Sequence, residues 1–310
     1  MKLVPVILGA LLLGGCEFGD FSQSDRYQTD FHHSYDISAD ARVNVESLNG
    51  SVEITGWDEN KVDVAGTKYG ATEQLRDAVK IEIHNTPTSI EIRTVRPSSY
   101  RGGAGARYVF RVPRKARLDR ITTSNSSIHV RDVGNAAHLK SSNGSIRAEN
   151  IAGDVEAHTS NSSIELDTVH GNAQLKSSNG RIQAENVGGE CNAETSNSSI
   201  KVRLDNAPAL PIHLVSSNGA IELTMDRAPK SDIRASTRNS SITLRLPAST
   251  SARLTADTSN SSISSDFVLR SDGDRDHNRK HVDGTIGSGG PRVELTSSNG
   301  RIRIVKGSGD

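Results

Sequence analysis

The densest run of ionisable side chains lies between Asp266 and Gly290, where Asp272, Asp274, Asp276, His277, His281 and Asp283 stand close together. Oxygen donors at alternate positions are the ligand set of a calcium loop. Such a loop also needs its glycine and a distal glutamate in place, and here Arg275, Arg279 and Lys280 are interleaved instead. The stretch therefore reads as a solvated polar loop, with no metal expected. His129, His138, His158, His170 and His213 fall in different repeats at no metal-ligand spacing. Cys191 fills the slot held by Ala137, Val155 and Ala173 in neighbouring repeats, so it reads as a buried small hydrophobe and not a nucleophile. No serine-hydrolase elbow, phosphate loop or cysteine–histidine pair is found. No aromatic residue occurs between Val112 and Asp266, which removes the stacking platform a polysaccharide-active enzyme needs. No catalytic residue and no cofactor are expected.

Cys16 is the exception, and its chemistry is acylation. Lys2 precedes an apolar run from Leu3 to Leu13, followed by Gly14, Gly15 and Cys16. A positive start, a short apolar core and small residues make an export signal, too short to span a bilayer as a helix. Leu13-Gly14-Gly15-Cys16 resembles the bacterial lipobox, which implies cleavage before Cys16 and palmitate-type acyl chains upon it. Each buried acyl CH₂ contributes ~0.8 kcal/mol, so several chains anchor a protein that one would hold only marginally. Residue two of the mature chain is then Glu17, not the aspartate of inner-membrane retention, so outer-membrane sorting is expected in a two-membrane host. With Cys16 acylated, Cys191 is alone and no intrachain disulfide forms.

These residues must be carried by an unusual core. Only 34% of the 310 residues are hydrophobic and 4% aromatic, while 37 basic residues balance 37 acidic ones. The balance gives no reason to expect nucleic acid as a partner. The poor core demands a repetitive, economical build. A repeat is present: TSNSSI, SSNGSI and close variants recur around Asn125, Asn143, Asn161, Asn179, Asn197, Asn218, Asn239, Asn260 and Asn299. Four steps of 18 residues precede three of 21 and one of 39, so one repeat near the end reads as degenerate or replaced by a loop. SLNGSV at Asn49 is an earlier copy, and KIEIHNTPTSIEI around Asn85 looks like an eroded one.

Apolar residues sit four before, three after and five after each asparagine, the period of strands with one buried face. Eighteen residues cannot bury that face alone, so copies must stack. The expected fold is all-β: a right-handed single-stranded parallel β-helix, or β-solenoid, with 18- to 21-residue coils. Within a coil, sizes compensate: Leu139 goes with Ala148, Ala157 with Leu166, Leu175 with Ala184 and Ala193 with Val202. SSNG and TSNSS coils alternate, so the unit is a pair. The nine asparagines are expected on the inward parity at a turn, as a hydrogen-bonded ladder, with Gly144, Gly180, Gly219 and Gly300 easing a left-handed turn. Outward charges are expected to pair between coils: Arg131 with Glu149, Arg147 with Glu165, Glu185 with Arg203 and Lys201 with Glu222.

The chain divides into a signal peptide at 1–15, a lipidated tether at 16–36 carrying Phe18, Phe21, Tyr27 and Phe31, an N-terminal β region and cap at 37–112, and the regular β-helix at 113–305 with a polar loop at 266–290. Trp57 is expected as a cap or core residue, and ATEQLRDAV at 71–79 as a short helix. The N-terminal region and the strand at 292–305 are the expected end covers.

VNVESLNGSVEITGWD at 43–58, FRVPRKARLDRITTSNSSI at 110–128, LRLPASTSARLTADTSNSSI at 244–263 and GTIGSGGPRVELTSSNGRIRI at 284–304 resemble the bacterial "putative adhesin" family, formerly a domain of unknown function. The resemblance spans most of the mature chain and implies a β-helix and adhesion; it transfers no functional residues. The expected role is a lipid-anchored cell-envelope binding or scaffold module without catalysis, held to the membrane by its lipid and facing an envelope protein, polymer or host surface. A structural envelope or stress-response component is the alternative, and a polysaccharide-active enzyme a minor one.

Overall fold

The computed structural model describes residues 26–96, 103–270 and 280–307. Among the described residues the fold is all-β, with long parallel stacks of strands in two sheets and one short helix, Glu73–Ala78. Among the described residues no helix is long and apolar enough to cross a membrane.

Each repeat gives one strand to each sheet. Strands preceding the asparagine, such as Ala137–Ser141, Val155–Thr159 and Ala173–Ser177, pair in parallel in the second sheet. Those following it, such as Ile146–Ile151, Ile164–Val169 and Ile182–Val187, do so in the first. The register follows the repeat: Ile128, Ile146, Ile164, Ile182, Ile200, Ile221 and Ile242 are successive partners. Leu139, Ala157, Leu175 and Ala193 form a second such column. All of these side chains are buried. Parallel in-register stacking lets each branched residue pack on its own kind above and below, so a chain poor in aromatics still closes a continuous core.

One local device recurs in the 18-residue repeats. Asp132, Asn150, Thr168 and Asn186 adopt positive φ of 59°, 52°, 57° and 53°. After Ala148 the strand alternation would turn Ile151 outward. The left-handed residue at 150 shifts the parity, and Ile151 is buried, as are Val133, Val169 and Val187.

The two ends depart from sequence order. Arg42–Glu46 lies between Ser89–Val95 and Arg117–Thr123, and Val52–Trp57 lies between Ala104–Pro113 and Ile128–Val133. At the other end Arg292–Ser297 enters between Ile233–Thr237 and Ala252–Thr258. Ile302–Gly307 enters between Ile242–Pro247 and Ile263–Ser265. The long final step in the repeat is therefore not a degenerate coil. The chain leaves the stack after 265 and returns one place back. The 292–305 segment is interior, and antiparallel strands cover both ends of the second sheet and the N-terminal end of the first, whose other end is the parallel strand Ile263–Ser265. Tyr27–Asp36 pairs with Lys61–Gly70, which pairs with Ala104–Pro113. Lys80–Thr86 pairs with Ser89–Val95, and His281–Ile286 with Ala252–Thr258. Covering a stack with reversed strands blunts the open ladder that would otherwise recruit another chain.

Three further expectations are corrected. The tether region becomes ordered strand from Tyr27 onward, because Phe31 packs edge-on against the buried Tyr108 at 5.8 Å. Within 266–290 a strand, His281–Ile286, replaces part of the polar loop. Asn85 is no eroded corner; it pairs with Ile90 inside an antiparallel hairpin. The helix at Glu73–Ala78 forms within the expected segment, with Thr72 as its N-cap accepting from the Leu75 N–H. Trp57 is half-buried, donating from Nε1 to the Lys61 carbonyl at 2.8 Å.

Candidate functional site

Three features of the surface and turns could carry function: the asparagine corner, a trough on the second sheet and a cavity at the N-terminal end.

At the corner the amides form one directional chain. Asn125 Nδ2 donates to Asn49 Oδ1 at 2.6 Å, Asn143 to Asn125 at 2.8 Å, Asn161 to Asn143 at 2.6 Å and Asn179 to Asn161 at 2.8 Å. Asn197, Asn218 and Asn239 continue it at 2.7, 2.7 and 2.6 Å. Asn299 then donates to Asn239 and Asn260 to Asn299, each at 2.8 Å. The geometry differs from expectation in one respect. These side chains are exposed, because each preceding strand ends two residues before the asparagine and the alternation stops there.

The inward turn position belongs to the hydroxyl two residues earlier: Thr123, Ser141, Thr159, Ser177, Thr195, Ser216, Thr237, Thr258 and Ser297 are all buried. Ser177 Oγ donates to the Ser162 carbonyl at 3.3 Å and accepts from the Gly180 N–H at 2.9 Å. Thr195 Oγ1 donates to the Gly180 carbonyl at 3.1 Å. The invariably small, hydroxylated residue at this slot was the sequence signal for the column. Thr123 alone of these finds no partner among the described residues.

The glycines of SSNG turns serve close approach, not a left-handed conformation. A β-carbon on Gly180 would lie 1.5 Å from the Ser162 carbonyl oxygen, and one on Gly144 1.7 Å from that of Ser126. Neither has a positive φ, whereas Gly50 does, at 119°. Each SSNG turn thus sets its glycine against the backbone of a neighbouring NSS turn.

The expected outward charge pairs are register neighbours, and their side chains distribute differently. Arg147 reaches Glu165 at 3.9 Å and also holds Glu149. Arg131 donates to Thr55 Oγ1 at 2.9 Å, and Arg203 pairs with Asp205 and Asp226 at 3.3 and 2.8 Å. Gln183 holds Glu185 at 3.0 Å. Lys201 and Glu222 are register partners without an ion pair among the described residues, so the outer face of the first sheet is satisfied only in part.

The second sheet's outer face carries a row of cavities. Three cavities of about 160, 280 and 370 Å³ succeed one another along it. The first two share His138 and Glu156, and the last two share Glu190. Glu156 lies 3.7 Å from His138 Nε2 and 3.5 Å from His158 Nε2. The N-terminal cavity, about 730 Å³, lies on the first sheet, with Phe31, Ala65, Tyr108 and Val109 beneath His32 and Arg107. Burial pushes the Tyr108 hydroxyl up to about 12, and its bond to Thr94 at 2.6 Å offsets part of that rise.

Cys16 lies outside the described residues, as do Asp272, Asp274, Asp276 and His277. Cys191 stands in register between Ala173 and Ile212, fully buried, and burial pushes its thiol up to about 12. His281 meets Asp257 at 2.5 Å. Among the described residues no cluster of three or more His, Cys, Asp or Glu side chains is placed to hold a metal ion.

Comparison with known proteins gives a family and no activity. No curated protein matches the chain. Among solved structures, a "putative adhesin" from Parabacteroides distasonis is similar at 11% identity and TM-score 0.36, over 91% of this chain and 98% of that one. A "putative cell adhesion protein" from Clostridium sporogenes is similar at 10% identity and TM-score 0.23, over 91% and 100%. A "putative lipid binding protein" from Parabacteroides distasonis stands at 13% identity and TM-score 0.29, over 89% and 97%. The sequence itself matches the Toastrack DUF4097 family across residues 42–305, so the chain belongs to that family.

Proposed function

We propose that the protein is a lipid-anchored binding module of the cell envelope that works without catalysis, displayed on a right-handed single-stranded β-helix of 18- to 21-residue coils. Cys16 carries the lipid, residues up to Tyr27 connect it to the rod, and outer-membrane placement follows in a two-membrane host. The observation that carries the reading is the pairing register itself. Equivalent residues from repeat after repeat stand side by side over both sheets. Such a stack holds the outward side chains at fixed spacing on rigid elements, which suits recognition of an extended partner. Among the described residues the free thiol is Cys191, and it supports a non-catalytic role, being buried and held protonated.

The test is acyl labelling and fractionation of cells expressing the full chain. Labelled palmitate is expected on the wild type and absent from Cys16→Ser, which should leave the membrane fraction. Protease added to intact cells should degrade a rod that faces outward. A soluble, unlabelled wild-type protein overturns the anchor.

A further inference from the structure

We propose that the trough on the outer face of the second sheet binds a linear glycan of neutral or amino sugars; this deepens the binding-module reading and rests on it. The trough is built from one side chain per repeat. Glu156, Gln174, Asn192, His213, Arg234 and Glu294 are successive register partners down its length. Strands ~4.8 Å apart give a row of hydrogen-bonding groups at constant spacing. The three cavities span the strands from Arg117–Thr123 to Arg292–Ser297, eight strands and thus roughly 34 Å from end to end.

Availability favours this face. At the asparagine corner the amides from Asn125 to Asn239, and Asn299, each donate to one neighbour and accept from another, and Asn260 at the end of the ladder donates. On the first sheet the outward Arg131, Arg147, Gln183 and Arg203 are engaged with neighbours, leaving Lys201 and Glu222 as an unbonded register pair among the described residues. In the trough, among the described residues, the side chains of Gln174, Asn192 and His213 have no hydrogen-bond partner, and all three line the cavities. Amides, imidazoles and carboxylates in a row match vicinal hydroxyls, which both donate and accept.

Size and charge narrow the ligand. Two of the three cavities fall below the ~300–1,000 Å³ range of small-molecule sites, so a polymer threading all three fits better than one compact molecule. The central cavity is lined by Asp154, Glu156 and Glu190 and by no lysine or arginine, while Arg120 and Lys140 stand in the first cavity with Asp119, and Arg234 and Arg292 in the last with Asp232 and Glu294. Carboxylates thus outnumber basic groups along the row and are unopposed at its centre, which disfavours uronate and phosphate polymers and admits uncharged or amine-bearing sugars. An extended peptide is a poorer occupant: the trough is the middle of a sheet and offers no free strand edge for backbone pairing. Without aromatic rings each sugar contributes little, so affinity must accumulate along the chain.

The experiment is calorimetric titration of the full chain with three hexamers: cellohexaose, the glucosamine hexamer of chitosan, and hexagalacturonate. At least one of the first two is expected to bind, at least tenfold more tightly than its own dimer, and hexagalacturonate is expected to bind neither as well nor detectably at equal concentration. Gln174→Ala with Asn192→Ala should weaken binding about tenfold at unchanged melting temperature. Asn192→Asp alone provides a second variant should that pair fold poorly, and Gln183→Ala on the first sheet should change nothing. Failure of both neutral and amino hexamers, equal binding of hexagalacturonate, or indifference to both trough variants overturns the proposal. Loss of the glycan result with capture of envelope material by the intact protein retained would remove the trough alone and leave the binding-module reading standing.

Discussion

The place a β-carbon would occupy on Gly300 lies 1.6 Å from the carbonyl oxygen of Ser240, sixty residues earlier in the chain. The contact repeats a rule seen throughout the stack, in which an SSNG turn lies against an NSS turn. Gly300→Ala and Gly180→Ala should each destabilise by about 3 kcal/mol, because the obstructing atom is backbone and cannot swing aside. Ser240→Gly, which adds no atoms, should cost under about 1 kcal/mol. Urea unfolding of the three variants checks the asymmetry; equal losses would refute it.

Ser177→Ala should cost more than Asn179→Ala, although both residues make two hydrogen bonds. The Ser177 hydroxyl is buried and its loss strands a carbonyl and an N–H, worth about 1–3 kcal/mol. The exposed Asn179 amide is replaced by water at both ends, leaving a loss of about 1 kcal/mol. Denaturation midpoints at equal slope rank the two.

Thr168 holds a left-handed conformation in a column otherwise filled by Asp132, Asn150 and Asn186. A β-branched residue there is strained by about 1 kcal/mol or more, while asparagine tolerates it. Thr168→Asn should raise stability by about 1 kcal/mol despite losing the bond from Thr168 Oγ1 to Asp167. A lowered melting temperature would show that this bond outweighs the strain.

Cys191 should be inert to iodoacetamide in the native state and react only on unfolding, since burial raises its thiol from 9.0 to about 12. Between those two values the unfolded thiol has lost its proton while the folded one keeps it. The unfolded state therefore binds fewer protons, and stability falls as pH rises through that window. Below pH 9 both forms are protonated and the dependence vanishes. Cys191→Ala, matching Ala173 beside it, should flatten the alkaline decline relative to wild type.

The parallel stacking was legible because its cause is local: Ile146 and Ile164 declare their shared face by period and motif, and the pairing follows. The asparagine positions were equally plain, but their direction was not, since strand parity cannot be carried past the end of a strand at Ser141. The reordered C-terminus was written in the sequence less openly. Asn239 and Asn260 both head NSS turns with no SSNG copy between them, and the missing partner, Asn299, comes last. Reading it required knowing that the Ser240 carbonyl leaves no room for a side chain where Gly300 stands. The strand Tyr27–Asp36 left a fainter trace, because its side chains are mostly exposed and only Phe31 and Tyr35 pack against the core.

The insertion of Arg292–Ser297 and Ile302–Gly307 between two earlier pairs of strands sets a condition on biogenesis. A stack whose layers matched the order of the chain could close one layer at a time from its N-terminal end. Here the penultimate layer comes from strands that follow the outermost ones in the chain, so a chain cut before Arg292 should leave two layers with mismatched faces and an open gap.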